Sequence, residues 1–207
     1  MKALRLHRGR VAPLLRRDID TDQIIPKQFL KSIDRSGFGR YLFNDWRFGP
    51  GGEPKSDFVL NDERYRGATI LVTGPNFGCG SSREHAAWAL EDYGFRVVIS
   101  PSFADIFRNN AITNGVLPVV LPDSIVNDIA ARAAAAAPYE MEVDLESRRV
   151  RDETGLEGSF DIDDASRHRL LKGLDDIGLI LEHARAIDRY ESQLVAPAKA
   201  RAHHAEC

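Results

Sequence analysis

One run of residues, Asn76-Phe77-Gly78-Cys79-Gly80-Ser81-Ser82-Arg83-Glu84-His85-Ala86, gathers more chemistry-bearing side chains than any other part of the sequence. Gly78 and Gly80 allow a sharp turn and let a ligand come close to main-chain N–H groups. Ser81, followed three residues later by Glu84, has the pattern of a capping box and is expected to open a helix. Such a helix turns free N–H donors and the positive end of its dipole toward whatever lies before the glycines, a place suited to carboxylate or phosphate. Arg83 adds a planar fork of donors that matches a carboxylate. Taken alone, Ser-Ser-Arg-Glu at a helix start reads more simply as a cap with a surface ion pair. A P-loop is excluded because its Lys-Ser/Thr ending is missing. The dinucleotide fingerprint fails at Arg83, where Gly or Ala is required.

The elements that must position this run are legible around it. Ala68–Thr73 is a nearly continuous apolar stretch, as in a strand buried on both faces. A helix is predicted from about Ser82 to Tyr93, stopped by Gly94. A strand follows over Phe95–Ile99, then a helix from Phe103 with Ser102 as N-cap and Gly115 at its end, then a strand over Val116–Leu121. This β-α-β-α-β order requires crossovers and therefore parallel pairing. Upstream, residues 3–17 read as a strand pair, Ala3–Leu6 and Val11–Leu15, turning at Arg8-Gly9-Arg10. Asp18–Asp22 is a polar loop in which Asp20 and Thr21 either face a cavity or cap a turn. Residues 34–52, rich in Gly and aromatics, hold neither periodicity and are expected to form a flexible loop with a functional role. Downstream come a helix from Asp123 to Ala137 and strands near Met141–Leu145, Arg148–Asp152 and Gly158–Ile162. A helical hairpin capped by Asp163 then breaks near Gly173. Residues 1–195 are expected to form a single domain and 196–207 a disordered tail. The His203-His204 pair in that tail lacks the further ligands a metal needs.

Composition narrows the function classes. The chain has 207 residues, 43% hydrophobic and 29% charged, with a formal net charge of −3. That balance offers no basic field for nucleic acid and no polybasic patch for a membrane surface. No apolar run approaches the length of a membrane span, and the N-terminal residues lack the apolar core of a secretory signal, so a cytoplasmic location is expected. The two cysteines are Cys79 and Cys207. A four-iron cluster asks for at least three protein thiolates and structural zinc for about four N/S ligands, so no metal or cofactor is assigned to this chain.

Several segments together resemble the C-terminal swivelling domain of the aconitase superfamily. Gly78–Ala86 is similar to its signature, and Ser100–Phe107 with Asn114–Pro118 to the stretch that follows. Asp18–Pro26 resembles the N-terminal motif of the superfamily's freestanding small subunits. Phe43–Arg47 and Phe58–Asn61 are similar to the bacterial isopropylmalate type. The resemblance spans about residues 1–190 in the expected order. It implies an α/β fold, a swivelling β/β/α domain with a central parallel β-α-β-α-β portion. It also implies a hydro-lyase that isomerises 2-isopropylmalate to 3-isopropylmalate through isopropylmaleate, in leucine biosynthesis. By the same resemblance Ser81 is the general base and Arg83 holds a substrate carboxylate, with Gly80, Ser82, Asp20 and Thr21 as further substrate contacts. His85 takes a structural role at a domain interface. The partner implied is a large iron–sulfur subunit, which carries a [4Fe-4S] cluster, in a heterodimer or heterotetramer. Citraconate, dimethylmalate and homoaconitate hydro-lyases are the alternative readings, and a non-catalytic anion- or RNA-binding module is the one from outside enzymology.

Overall fold

Alternation along the strands divides the apolar residues between two faces of one sheet. The computed structural model describes residues 1–30 and 36–202. Contacts cluster in two units, Met1–Gly173 and Leu174–Cys207.

In the first unit, β1 (Leu6–Leu14) leads to a long excursion holding two short helices, α1 (Thr21–Ile24) and α2 (Asn44–Arg47). Then come β2 (Ile70–Thr73), α3 (Glu84–Tyr93), β3 (Val97–Ser100), α4 (Asp105–Thr113), β4 (Leu117–Val120) and α5 (Asp123–Ala135). A meander of β5 (Glu140–Asp144), β6 (Arg149–Arg151) and β7 (Glu157–Ser159) precedes α6 (Asp164–Lys172). The sheet has seven strands in the order β4-β3-β2-β1-β5-β6-β7. From β4 to β1 the pairs are parallel, with Val11 opposite Ile70, Leu71 opposite Val98 and Ile99 opposite Val119. From β1 to β7 they are antiparallel. The parallel half thus has the β-α-β-α-β order expected. Pro118 is tolerated in β4 because that strand is the sheet edge and owes no second ladder.

Val11, Ile70, Val72, Val97, Ile99, Leu117 and Val119 pack with Val126, Ile129, Ala130 and Ala133 of α5. Ala12, Leu14, Leu71 and Val98 belong to a second cluster, with Ala86, Ala89 and Leu90 of α3 and Phe107 and Ala111 of α4. That second cluster also takes Phe38, Leu42 and Phe43, each at most 1% exposed. Within the stretch expected to be a flexible loop, residues 38–43 are therefore anchored in the core. Three aromatic and aliphatic side chains there gain more from burial than a disordered Gly-rich segment gains from freedom. Asp34 and Arg35 lie outside the described residues.

Two boundaries differ from expectation for definite reasons. The predicted strand pair at the N-terminus is one strand, whose first half pairs with β5 and second half with β2. Gly9 marks a close approach instead of a turn: a Cβ there would stand 2.0 Å from the Thr69 hydroxyl. Ser102 does not cap α4: Ala104 holds the N-cap position without a side-chain hydrogen bond, and Ser102 Oγ accepts instead from the Asn76 N–H at 2.8 Å. Asp163 does cap α6, accepting from the Ser166 N–H at 2.9 Å.

The second unit holds α7 (Asp176–Leu181), capped by Asp175, and α8 (Ala184–Ala202). Where a disordered tail was expected from 196, α8 continues to Ala202. Its alanines are strong helix formers. His203, His204 and Cys207 lie outside the described residues.

Candidate active site

After Thr73 the chain turns through residues 74–82 before α3 begins, and this loop is fastened on both sides. Toward the segment that follows β1, the Gly78 N–H donates to the Ile19 carbonyl at 2.7 Å and the Thr21 N–H to the Cys79 carbonyl at 2.9 Å. The Asn76 amide donates to the Asp18 carboxylate at 2.9 Å. Toward the segment that follows β3, the Phe77 N–H donates to the Ser102 carbonyl at 3.1 Å and the Ala104 N–H to the Phe77 carbonyl at 3.0 Å. All three segments leave the C-terminal ends of parallel strands, the edge at which open parallel sheets collect ligands. Gly78 has φ +79°, and a Cβ there would fall 2.2 Å from the Phe107 ring. The turn can pack on α4 only without a side chain at this position.

The signature helix starts later than Ser81. α3 begins at Glu84 with Arg83 in the N-cap position, and no capping box forms. Glu84 instead accepts from Trp88 Nε1 and Asn114 Nδ2, both at 3.2 Å, so its carboxylate serves the packing of α3 on the end of α4. The capping box that does form belongs to Asp20. Its carboxylate accepts from the Gln23 N–H at 2.8 Å, and Gln23 Oε1 accepts from the Asp20 N–H at 2.9 Å.

Released from capping, Ser81 is exposed, and among the described residues its hydroxyl has no hydrogen-bond partner. Its backbone is fixed, since Thr21 Oγ1 donates to the Ser81 carbonyl at 2.9 Å. Gly80, with φ +87°, precedes it. Arg83 is largely buried, its side chain 14% exposed, and its fork is engaged by Asp22: one terminal nitrogen donates to each carboxylate oxygen, the second at 2.8 Å. This hydrogen-bonded guanidinium holds the Asp22 carboxyl below its usual range, against a smaller opposing effect of burial.

Ser81, Arg83, Gly80 and Thr21 line one cavity of about 240 Å³. Its other wall is the first turn of α4 with the residue before it: Ala104, Asp105, Ile106 and Phe107. Of the residues singled out from sequence, Ser82 is exposed but does not line this cavity, and the Asp20 carboxylate is spent on the α1 cap. Asp22 and the α4 turn escaped sequence reading. Asp22 is one of three aspartates in a five-residue loop, and nothing in its spacing distinguishes it from Asp18 and Asp20. A larger cavity of about 460 Å³ lies between residues 56–65 and the alanine face of α5, and it contains none of the signature residues.

His85 is edge-on to Phe38 at 5.3 Å and packs on Trp88 at 4.5 Å between ring centroids. Burial lowers its imidazole pKa, partly opposed by Glu84. Burial, then the charges of Asp20 and Asp18, push the Cys79 thiol up, which disfavours the reactive thiolate. Among the described residues no group of three or more His, Cys, Asp or Glu is gathered for a metal ion. With two cysteines in the sequence, the donor set does not fit an iron–sulfur cluster.

Comparison with known proteins agrees with this architecture. The Aconitase C-terminal domain family matches residues 1–124, and the LeuD_N family matches residues 128–164. The 3-isopropylmalate dehydratase small subunit of Koribacter versatilis (strain Ellin345) is 60% identical over 191 residues, covering 92% of this chain and 98% of its own length. That of Methylibium petroleiphilum (strain ATCC BAA-1232 / LMG 22953 / PM1) is 55% identical over 202 residues, 93% of this chain and 94% of its own. The crystal structure of 3-isopropylmalate dehydratase (leuD) from Methanocaldococcus jannaschii DSM2661 aligns with a TM-score of 0.65 at 24% identity, covering 89% of this chain and 99% of that one, and it shares the fold. From the domain match and these relatives, the chain belongs to the aconitase superfamily, in the family of 3-isopropylmalate dehydratase small subunits.

Proposed function

We propose that this chain is the small subunit of a cytoplasmic two-subunit hydro-lyase that isomerises 2-isopropylmalate to 3-isopropylmalate by way of isopropylmaleate, in leucine biosynthesis, with Ser81 as the base. The observation that carries the reading is the Ser81 hydroxyl, exposed and without a partner among the described residues, in the same cavity as the Arg83 guanidinium. A serine that only capped α3 would have its oxygen occupied. A free hydroxyl with a fixed backbone fits a group that must reach a substrate C–H.

A serine hydroxyl is a weak base at neutral pH, and it becomes competent only where positive charge stabilises the alkoxide. Arg83, two residues away, supplies that charge. Asp22 takes one N–H from each terminal nitrogen, and three of the five donors of the fork remain for a substrate carboxylate. A carboxylate held there sets its neighbouring C–H beside Ser81, and the proton passes to Ser81 Oγ. Among the described residues no group of His, Cys, Asp or Glu is gathered to hold a metal as Lewis acid for the departing hydroxyl. We assign that part to the large subunit and its [4Fe-4S] cluster, the partner in a heterodimer or heterotetramer.

The test is reconstitution with the large subunit encoded in the same genome, assayed on a panel of substrates. The expected outcome is turnover of 2-isopropylmalate well above that of citraconate, dimethylmalate or homoaconitate. Preference for another member of the panel overturns the substrate assignment.

A further inference from the structure

Ile106 is 53% exposed on a helix whose other large apolar residues, Phe107 and Ile112, are 2% and 5% exposed. The core therefore does not require an apolar side chain at 106. α4 buries the face of Phe107, Ala111 and Ile112, and Ile106 stands about 100° round the helix from Phe107. Ile106 instead lines the cavity of Ser81 and Arg83. That cavity is divided in character: hydroxyl, guanidinium and glycine backbone on one wall, and on the other the apolar side chains of Ala104, Ile106 and Phe107 together with the carboxyl side chain of Asp105.

The wall formed by α4 is held rigid. Phe107 packs edge-on to Phe77 at 5.0 Å and stacks with Phe103 at 6.2 Å between ring centroids. Phe77 and Phe103 also form a backbone bridge, and the Ala104 N–H is tied to the Phe77 carbonyl. The first turn of α4 is thus locked to the same loop that presents Ser81. The segment 34–52, expected from the sequence to be a flexible functional loop, contributes none of the described residues lining this cavity.

Building on the function proposed above, we infer that Ile106 is the residue of this chain that selects the alkyl substituent of the substrate. With a carboxylate on Arg83 and the reacting C–H at Ser81, the substituent on that carbon skeleton projects toward the opposite wall, where Ile106 covers a branched alkyl group and offers nothing to a charged one.

The experiment uses the assembled two-subunit enzyme at saturating partner, with binding of the partner measured separately. Wild type, Ile106→Val and Ile106→Ala are compared on 2-isopropylmalate and on citraconate hydration, where methyl replaces isopropyl. Losing one methylene from an apolar pocket changes discrimination by about 10-fold or more. Ile106→Ala should therefore lower kcat/KM for 2-isopropylmalate by at least about 10-fold. It should change citraconate hydration by less than about 3-fold, and Ile106→Val should fall between. An unchanged ratio of the two activities in both variants overturns the inference. So does loss of partner binding at constant ratio, which would make Ile106 an interface residue. Failure of the function itself reads differently: the wild-type pair would then not favour 2-isopropylmalate at all. Ile106→Val, which removes one methylene from a half-exposed site, keeps the test open should the alanine variant fold poorly.

Discussion

Ser81 and Arg83 divide the work that a neighbouring hydroxyl and guanidinium can do, and kinetics separates them. Ser81→Ala removes the hydroxyl and leaves the loop, the Thr21 contact to its carbonyl and the Arg83–Asp22 pair in place. In the assembled enzyme it should cut kcat by at least about 100-fold with KM within a few-fold. Because Ser81 is not the cap of α3, thermal unfolding should shift by no more than about 0.5 kcal/mol. Near-normal kcat in a complex of confirmed composition would mean that Ser81 is not the base. Arg83→Lys keeps the charge and loses the planar fork, so KM should rise as kcat falls. Both residues were legible in the sequence because they sit in one short motif. The cap was misplaced because Ser81 and Glu84 have capping-box spacing, while Glu84 finds Trp88 and Asn114 once α4 is packed against α3. Spacing within one helix cannot register a competitor from another. The Arg83 partner was hidden for the same reason, since Asp22 comes from a different loop.

At the scale of elements, strands that are apolar throughout announced themselves, and so did the parallel order. β2 and β3 are each buried at every position, and helices with Gly or Pro at their ends lie between and after them. The segment 36–52 was opaque because its burial has no period: Phe38, Leu42 and Phe43 reach the core from short turns. Phe38→Ala should therefore destabilise the fold by about 3–5 kcal/mol in denaturant titrations, the cost of a large cavity. A loss under 1 kcal/mol would return this segment to the role of a surface loop. A second test falls on Asp152, whose side chain is 1% exposed. It accepts from Tyr139 Oη at 2.6 Å, Thr154 Oγ1 at 2.7 Å and the Leu156 N–H at 2.8 Å, and pairs with Arg132 of α5 at 3.2 Å. Burial alone would raise its pKa, yet these hydrogen bonds hold it well below the usual carboxylate range. A carboxylate depressed in the fold stabilises it fully above its unfolded pKa of about 3.9 and loses that contribution as pH falls below. Asp152→Asn should cost about 3 kcal/mol near pH 7. The difference from wild type should narrow between pH 4 and pH 2, measured as the shift in urea midpoint. A difference constant with pH would show that the carboxylate's charge is not what the network uses.

At the scale of the whole molecule, the function proposed above gives this chain proton transfer and carboxylate binding and gives the large subunit removal of the hydroxyl group. The cavity of about 240 Å³ that holds Ser81 and Arg83 is walled by the loops after β1 and β2 and by the first turn of α4, and Ser81 in it is exposed. A site that must exclude water during proton abstraction from carbon needs a second wall, and the family's small subunits are named as one part of a larger enzyme. Two consequences can be measured on the isolated chain. First, the protein should be stably folded, because its two large apolar clusters lie on opposite faces of a seven-stranded sheet within a single chain. Second, after anaerobic treatment with iron and sulfide it should show no visible charge-transfer absorbance and no turnover of 2-isopropylmalate. Two cysteines cannot supply the three thiolates a four-iron cluster requires. Adding the large subunit should restore activity with a saturable dependence on its concentration, and Ser81→Ala chain should compete with wild type for that partner without restoring turnover. Turnover by the isolated chain, or a stable cluster spectrum from it, would place the missing half of the reaction on this polypeptide and end the two-subunit account.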